Sequence, residues 1–183
     1  MERQEAYNIV LANVKNNNLV KHMLAVEAVM AGLAVKLDQN ANDWRLAGLL
    51  HDADYEETKN DMPRQGVIIA EKLSQLGIAD EICHAIKAHN DKTGTARQSL
   101  MDKAIYAADP LTGLIVASTL VLPSKKIADL TVENILNRFK EKSFAKGARR
   151  DAILSCVEIN LSLEEFVSIA LEEMKKISSN LGL

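Results

Sequence analysis

Aromatic residues are scarce in this chain: one Trp, three Tyr and three Phe among 183 residues. Proteins that grip single-stranded nucleic acid stack bases on aromatic rings, so a platform of that kind is not expected. Cysteine is nearly absent too. Cys83 and Cys156 are too few for a disulfide framework and form no CxxC pair, which suits a reducing cytoplasm and two small buried hydrophobes. Neither sign of charge prevails, with 22 Lys and Arg against 25 Asp and Glu and a formal net charge of −3. General attraction to phosphate backbones is therefore not expected, although a local basic patch is compatible with that balance. No apolar run approaches the roughly 20 residues needed to span a bilayer. The start, MERQEAYNIV, also lacks the apolar centre of a signal peptide, so the expectation is a cytoplasmic protein without membrane attachment. Motifs for nucleotide cofactors (GxxxxGKS/T, GxGxxG after a strand), for serine hydrolases (GxSxG) and for zinc proteases (HExxH) are missing as well.

Helix breakers are few, at three Pro and eight Gly, while Ala and Leu are abundant and no segment alternates polar with apolar residues for long. That composition predicts an all-α, single-domain helical bundle. Helices are expected at about 2–15, 19–37, 42–51, 63–76, 80–89, 98–121, 131–140, 147–159 and 163–178, with ends uncertain by a few residues. Ser162 and Glu165 make a capping box ahead of the stripe Leu163, Phe166, Val167, Ala170, Leu171, Met174 and Ile177. The opposite face, from Glu164 to Lys176, is charged and reads as solvated. Gly77 closes one helix, Asp80 can cap the next, Pro63 suits a first turn, and Pro110 should kink or restart its helix. At this length the chain buries a core without a structural metal, so a bound metal would be functional.

What is present, and uneven, is the placing of His and Asp. The doublet His51-Asp52 stands with an isolated His22 upstream and an isolated Asp109 downstream, and two imidazoles with two carboxylates suit a divalent ion. Each residue also has an ordinary reading. His22 can be a hydrogen-bonded core histidine, Asp52 and Asp54 can be turn residues, and Asp109 can cap a helix restarted at Pro110. His84 and His89 lie about 140° apart on a regular helix, so both do not face one ion; His84 reads as structural and His89 as a site candidate or an exposed helix end. The basic cluster Lys140, Lys142, Lys146, Arg149 and Arg150 can hold phosphate or simply be solvated.

The segments KHMLAVEAVMAGLA, LAGLLHDADYEETKNDMPRQG, AIKAHN and KAIYAADPLTGLI resemble, in order and spacing, the HD superfamily of metal-dependent phosphohydrolases over roughly residues 20 to 120. KSFAKGARRDAI is similar to the C-terminal part of one uncharacterised bacterial and archaeal subgroup, which extends the likeness over most of the chain. The resemblance implies one domain over 1–183, with a metal-site core at about 19–122 and C-terminal helices at about 131–178 packed on it. It implies His22, His51, Asp52 and Asp109 as metal ligands, with Asp52 also positioning the attacking water. Asp54 becomes a weaker catalytic candidate for proton transfer or orientation, and His89, Lys142 and Arg150 become substrate contacts. Gln65 stands where two-metal members place another histidine, so one strong site for Mn, Fe, Co, Ni or Zn is expected. The implied activity is hydrolysis of a small phosphorylated molecule, a nucleotide or related phosphoester, by metal-activated water. A noncatalytic metal-binding module for ligand sensing or protein interaction is the alternative. Oxygen chemistry at paired iron, known among HD relatives, is disfavoured by the missing histidine.

Overall fold

A computed structural model describes residues 1–183, and every regular element in it is helical. In chain order the α-helices are α1 (Arg3–Asn13), α2 (Asn17–Lys36), α3 (Ala41–Leu50), α4 (Tyr55–Thr58), α5 (Val67–Gln75), α6 (Asp80–Ala88), α7 (Leu100–Leu120), α8 (Val132–Lys140), α9 (Arg150–Leu154), α10 (Leu163–Lys176) and α11 (Ser178–Leu181). The expectation of an all-α bundle holds.

Helix α2 organises the core. The Asn16 side chain accepts the Asn18 amide at 2.9 Å to start it, and Met23, Val26, Val29, Met30 and Leu33 are fully buried along it. It packs on α3, α7 and α10. By length and hydropathy, 1.4 over its best window, α2 passes the test for a membrane-crossing helix, contrary to the expectation that no run comes close. Two thirds of that window, 67%, is buried inside the bundle, which accounts for its apolar character as a core helix. Between α2 and α3 the backbones touch: a Cβ on Gly48 would lie 2.8 Å from the Val26 carbonyl oxygen and 2.9 Å from Glu27 Cα. Only glycine allows that approach.

Glu27, buried on α2, is met by Arg3 from α1 through two hydrogen bonds of 2.5 and 2.8 Å. The charge is thus paired in the fork geometry that suits guanidinium and carboxylate. At the other end of the chain, the Ser162–Glu165 box forms as expected, with Glu165 N to Ser162 Oγ at 3.2 Å, and α10 buries Phe166, Val167, Ala170, Leu171 and Met174. A second box opens α7, where Ser99 Oγ accepts the Asp102 amide and Asp102 Oδ2 accepts the Ser99 amide.

Four local expectations need correcting. The helix expected over 63–76 is interrupted: Met62–Arg64 is a 3₁₀ turn, Gly66 takes φ +84°, and α5 begins only at Val67. The segment 147–159 is likewise two pieces, α9 and a 3₁₀ turn over Ser155–Ile159. Asp80 is the first helical residue of α6 rather than its cap, which is Ala79. Pro110 lies inside α7, which runs from Leu100 to Leu120, so the helix does not restart there.

Candidate metal centre and its cleft

Two histidines reach the centre in the same way. His51 follows α3 and His89 follows α6, each as the helix C-cap in αR conformation. There a ring nitrogen can return to a carbonyl three residues back, which has no helical partner of its own. His51 Nδ1 lies 2.8 Å from the Gly48 carbonyl oxygen and His89 Nδ1 lies 2.5 Å from that of Ile86. Each Nδ1–H donates to its carbonyl, which turns Nε2 inward and, once the ring is neutral, leaves its lone pair there for a ligand. Gly66 supports the second of these rings: a Cβ there would lie 2.6 Å from the Ile86 oxygen and 3.2 Å from His89 Cε1.

His22 arrives from α2 and Asp109 from α7. His22 Nδ1 is 3.2 Å from Thr112 Oγ1, and that hydroxyl donates to the Asp109 carbonyl at 2.8 Å, so it accepts from the ring. His22 Nε2 then meets Asp109 Oδ1 at 3.0 Å. A lone pair facing a carboxylate oxygen at that distance requires a proton or a cation between them. Asp52 completes the group, with Oδ2 at 3.5 Å from His51 Nε2 and 3.9 Å from His22 Nε2, and Oδ1 at 3.4 Å from His89 Nε2. The ring centroids of His22 and His89 lie 5.2 and 5.0 Å from that of His51.

These atoms make two overlapping donor sets, His22-His51-Asp52 and His51-His89-Asp109, each with its ligand atoms within 4.8 Å of one another. His51 Nε2 belongs to both, is fully buried and has no hydrogen-bond partner. An orphaned, buried imidazole lone pair between carboxylates fits a divalent ion, and mixed N and O donors fit the borderline metals. Burial pushes the His51 imidazolium below its usual range, which keeps the ring neutral. Burial also opposes the charged form of Asp52, yet His51, His89 and His22 together hold its carboxyl far below the ordinary value. For His89 burial is likewise outweighed, by the hydrogen bond and charge of Asp52, and its pKa rises to about 9. His22 is raised in the same sense by Asp109.

Gln65 sits in this group as a donor. Its amide Nε2 gives a hydrogen bond of 2.5 Å to Asp52 Oδ1 and leaves Oε1 buried without a partner. Occupying Oδ1 leaves Oδ2 of Asp52 for the His22 and His51 side of the group. His89, expected as a substrate contact, lines the cleft and also lies among the potential ligands, buried at 5% exposure.

Asp54 has a different place from the one expected for a catalytic group. Its carboxylate accepts the Gly66 amide at 2.9 Å on both oxygens and the Ile69 amide at 3.0 Å. It caps the start of α5, is only 3% exposed, and does not line the cleft. Burial raises its pKa in spite of these bonds. Asp54 is a positioning residue that holds the Gln65-Gly66 corner. The capping reading of Asp109 is also set aside, because α7 does not restart at Pro110.

Arg150 is corrected as a substrate contact. Its guanidinium donates to the carbonyls of Phe139, Ala145, Ala148, Arg138, Glu141 and Phe144, tying the segment between α8 and α9 into a collar. Nothing remains for a ligand. Lys142 does not line the cleft either; of the five basic residues in that segment only Arg149 does. His84, read as structural, binds Asp102 Oδ2 through Nδ1 at 3.0 Å, away from the metal group.

The metal group opens into a cleft of about 960 Å³, large enough for a nucleotide-sized molecule. Asn16, Asn18, Lys59, Asn90, Lys92 and Arg149 are among its walls. The walls beyond the ligands were not singled out in the sequence, except for Arg149 as one of a basic cluster; the run AHNDK after α6 was the available signal.

Residues 19–114 match the model of the HD domain. The chain belongs to the HD-domain family. Among curated relatives of this HD protein is Ribonuclease Y of Lawsonia intracellularis, 28% identical over 137 residues, covering 73% of this chain and 26% of the relative. Ribonuclease Y of Geotalea uraniireducens is 28% identical over 171 residues, covering 91% of this chain and 32% of the relative. This HD chain thus spans about a quarter to a third of the length of the curated relatives it matches. No solved structure matches it.

Proposed function

We propose that this HD protein is a metal-dependent phosphohydrolase acting on a small phosphorylated molecule, a nucleotide or related phosphoester. The observation that carries the reading is the buried, partnerless Nε2 of His51 between Asp52, His22, His89 and Asp109. Membership of the HD family supports the reaction class, and the basic walls of the cleft support a phosphorylated substrate. His22, His51, Asp52 and Asp109, with His89 beside them, would hold a divalent ion, which would supply Lewis acidity toward a phosphoryl oxygen and lower the pKa of water. The chain's own part is orientation. The carbonyls of Gly48 and Ile86 fix two ring tautomers, Gln65 fixes Asp52, and Asp52 Oδ2 is left to position water for in-line attack. Gln65 in place of a further imidazole supports one strong metal site rather than two.

A second reading is favoured by the relatives' name: the bond cleaved is a phosphodiester of RNA. The deciding experiment resupplies metal-free protein with Mn, Fe, Co, Ni or Zn. It follows phosphate release from nucleotides and other phosphomonoesters, and strand scission of a labelled RNA oligonucleotide, beside His51→Ala. Release of phosphate that is lost in the variant is expected. Scission of RNA alone would favour the second reading, and silence of every substrate with every metal would leave the noncatalytic binding module.

A further inference from the structure

We infer that Arg149 holds a second phosphate of the substrate, beyond the one that is hydrolysed; the inference rests on the phosphohydrolase reading. Arg149 and Arg150 are neighbours with opposite fates. Arg150 is consumed by six carbonyls, whereas Arg149 makes one protein hydrogen bond, from Nη1 to Asp91 Oδ2 at 2.7 Å. Its guanidinium lies 4.9 Å from the centroid of the Tyr106 ring, and its side chain is 44% exposed on the wall of the metal cleft. Most of its five N–H donors are therefore free, on a group already held in one orientation.

The local charge is unbalanced in the direction this requires. Asp91 Oδ1 is taken by Arg97 at 2.7 Å, and Oδ2 accepts from both Arg149 and the Tyr106 hydroxyl, the latter at 2.9 Å. Arg97 stacks on Tyr106 at 3.7 Å but does not line the cleft. One carboxylate thus serves two guanidinium groups, and beyond the metal group the cleft walls carry Lys59, Lys92 and Arg149 against Asp91 and Glu56, the latter bound to the Lys15 and Asn16 amides, which leaves one positive charge in surplus. A planar fork with spare donors and surplus positive charge matches a phosphate.

A second phosphate is inferred because the partners that hold Arg149 are Asp91 and the Tyr106 ring, neither of them among the potential metal ligands. The cleft volume also exceeds by far what one phosphate fills. The substrate class that fits carries two phosphates separated by a sugar or longer spacer. A nucleoside bisphosphate and a short 5′-phosphorylated oligonucleotide share that chemistry.

The test compares a nucleoside 5′-monophosphate, the matching 3′,5′-bisphosphate and a 5′-phosphorylated dinucleotide. Turnover and calorimetric binding are both measured on wild type, Arg149→Gln and Arg149→Lys, with melting temperature as the folding control. In Arg149→Gln the KM and the dissociation constant for doubly phosphorylated substrates should rise about tenfold, the worth of one charge-assisted hydrogen bond. The KM and dissociation constant for the monophosphate should rise much less than those for the doubly phosphorylated ligands, and Arg149→Lys should recover part of the loss. Preference for the bisphosphate or for the dinucleotide then names the source of the second phosphate. Equal effects on all three ligands, or none, overturn the inference. Absence of turnover in wild type with selective loss of binding in Arg149→Gln sinks the hydrolase reading and leaves the phosphate subsite standing.

Discussion

Arg150 and His51 are both polar groups drawn into the protein, and they end differently. The Arg150 guanidinium meets six carbonyls and has nothing left to offer, while His51 Nε2 meets none. A saturated polar group has been used up in holding its own segment together. An orphaned one at the convergence of four other potential ligands has been kept for something that is not protein. The same contrast separates Asp54, whose carboxylate is filled by the amides of Gly66 and Ile69, from Asp52 two residues earlier, whose Oδ2 faces two imidazoles.

The comparison breaks first, if it breaks, at His51. His51→Ala should lower the proposed phosphohydrolase activity by at least about 10³-fold, since several kcal/mol of charge stabilisation is lost at 1.36 kcal/mol per decade. It should also abolish the rise in melting temperature on adding metal, while far-ultraviolet circular dichroism keeps its helical form. An unchanged metal-induced rise would refute the site. On the saturated side, Arg150→Ala should destabilise the fold by about 3 kcal/mol, because several carbonyls lose a charged donor at once. Urea titration measures that loss, and metal affinity should stay within about twofold of wild type. A variant as stable as wild type would mean that the collar is ornamental.

The titration behaviour of His89 sharpens the contrast. In the metal-free protein its pKa is raised to about 9, so the stability that the charged ring confers is complete below the ordinary value near 6.5 and lost as pH rises through 9. A ligand must be neutral, so metal binding displaces that proton. The metal-induced gain in melting temperature should therefore grow from pH 6 to pH 9, with protons released on binding; a flat profile would place His89 outside the ligand set.

The smallest effect concerns Asp102, which is buried yet keeps one oxygen, Oδ1, without a partner. Its other oxygen caps α7 and binds His84, and these bonds outweigh burial to hold the pKa below the ordinary carboxylate value. The stabilisation is then present above about pH 4 and lost as pH falls through the depressed pKa. Asp102→Asn should cost about 1 kcal/mol at pH 7, and the cost should shrink once pH falls through the depressed pKa, as judged by urea titration across the acid range. A cost that does not change with pH would rule out the charge as the source.

Much of this was legible in the chain. The long helices α2, α7 and α10 announced themselves through apolar stripes and caps, because such a helix buries one face whatever its partners are. His22, His51, Asp52 and Asp109 were readable by resemblance, and they do converge. The shorter pieces were less legible. The Gln65-Gly66 corner is made by Asp54, twelve residues away from Gly66, which takes amides that a continuous helix would have needed. Basic residues at 142, 149 and 150 look alike along the chain, and only the fold separates a guanidinium spent on carbonyls from one facing the cleft.

The sequence by itself determined the helical class, the order of the long helices and the residue types able to bind a metal, since these follow from local spacing and side-chain chemistry. Tertiary structure alone decided which polar groups are saturated. Hydrogen-bond saturation depends on which carbonyls and amides arrive from distant segments, and the touching backbones at Gly48 and Gly66 bring His51 and His89 to one point.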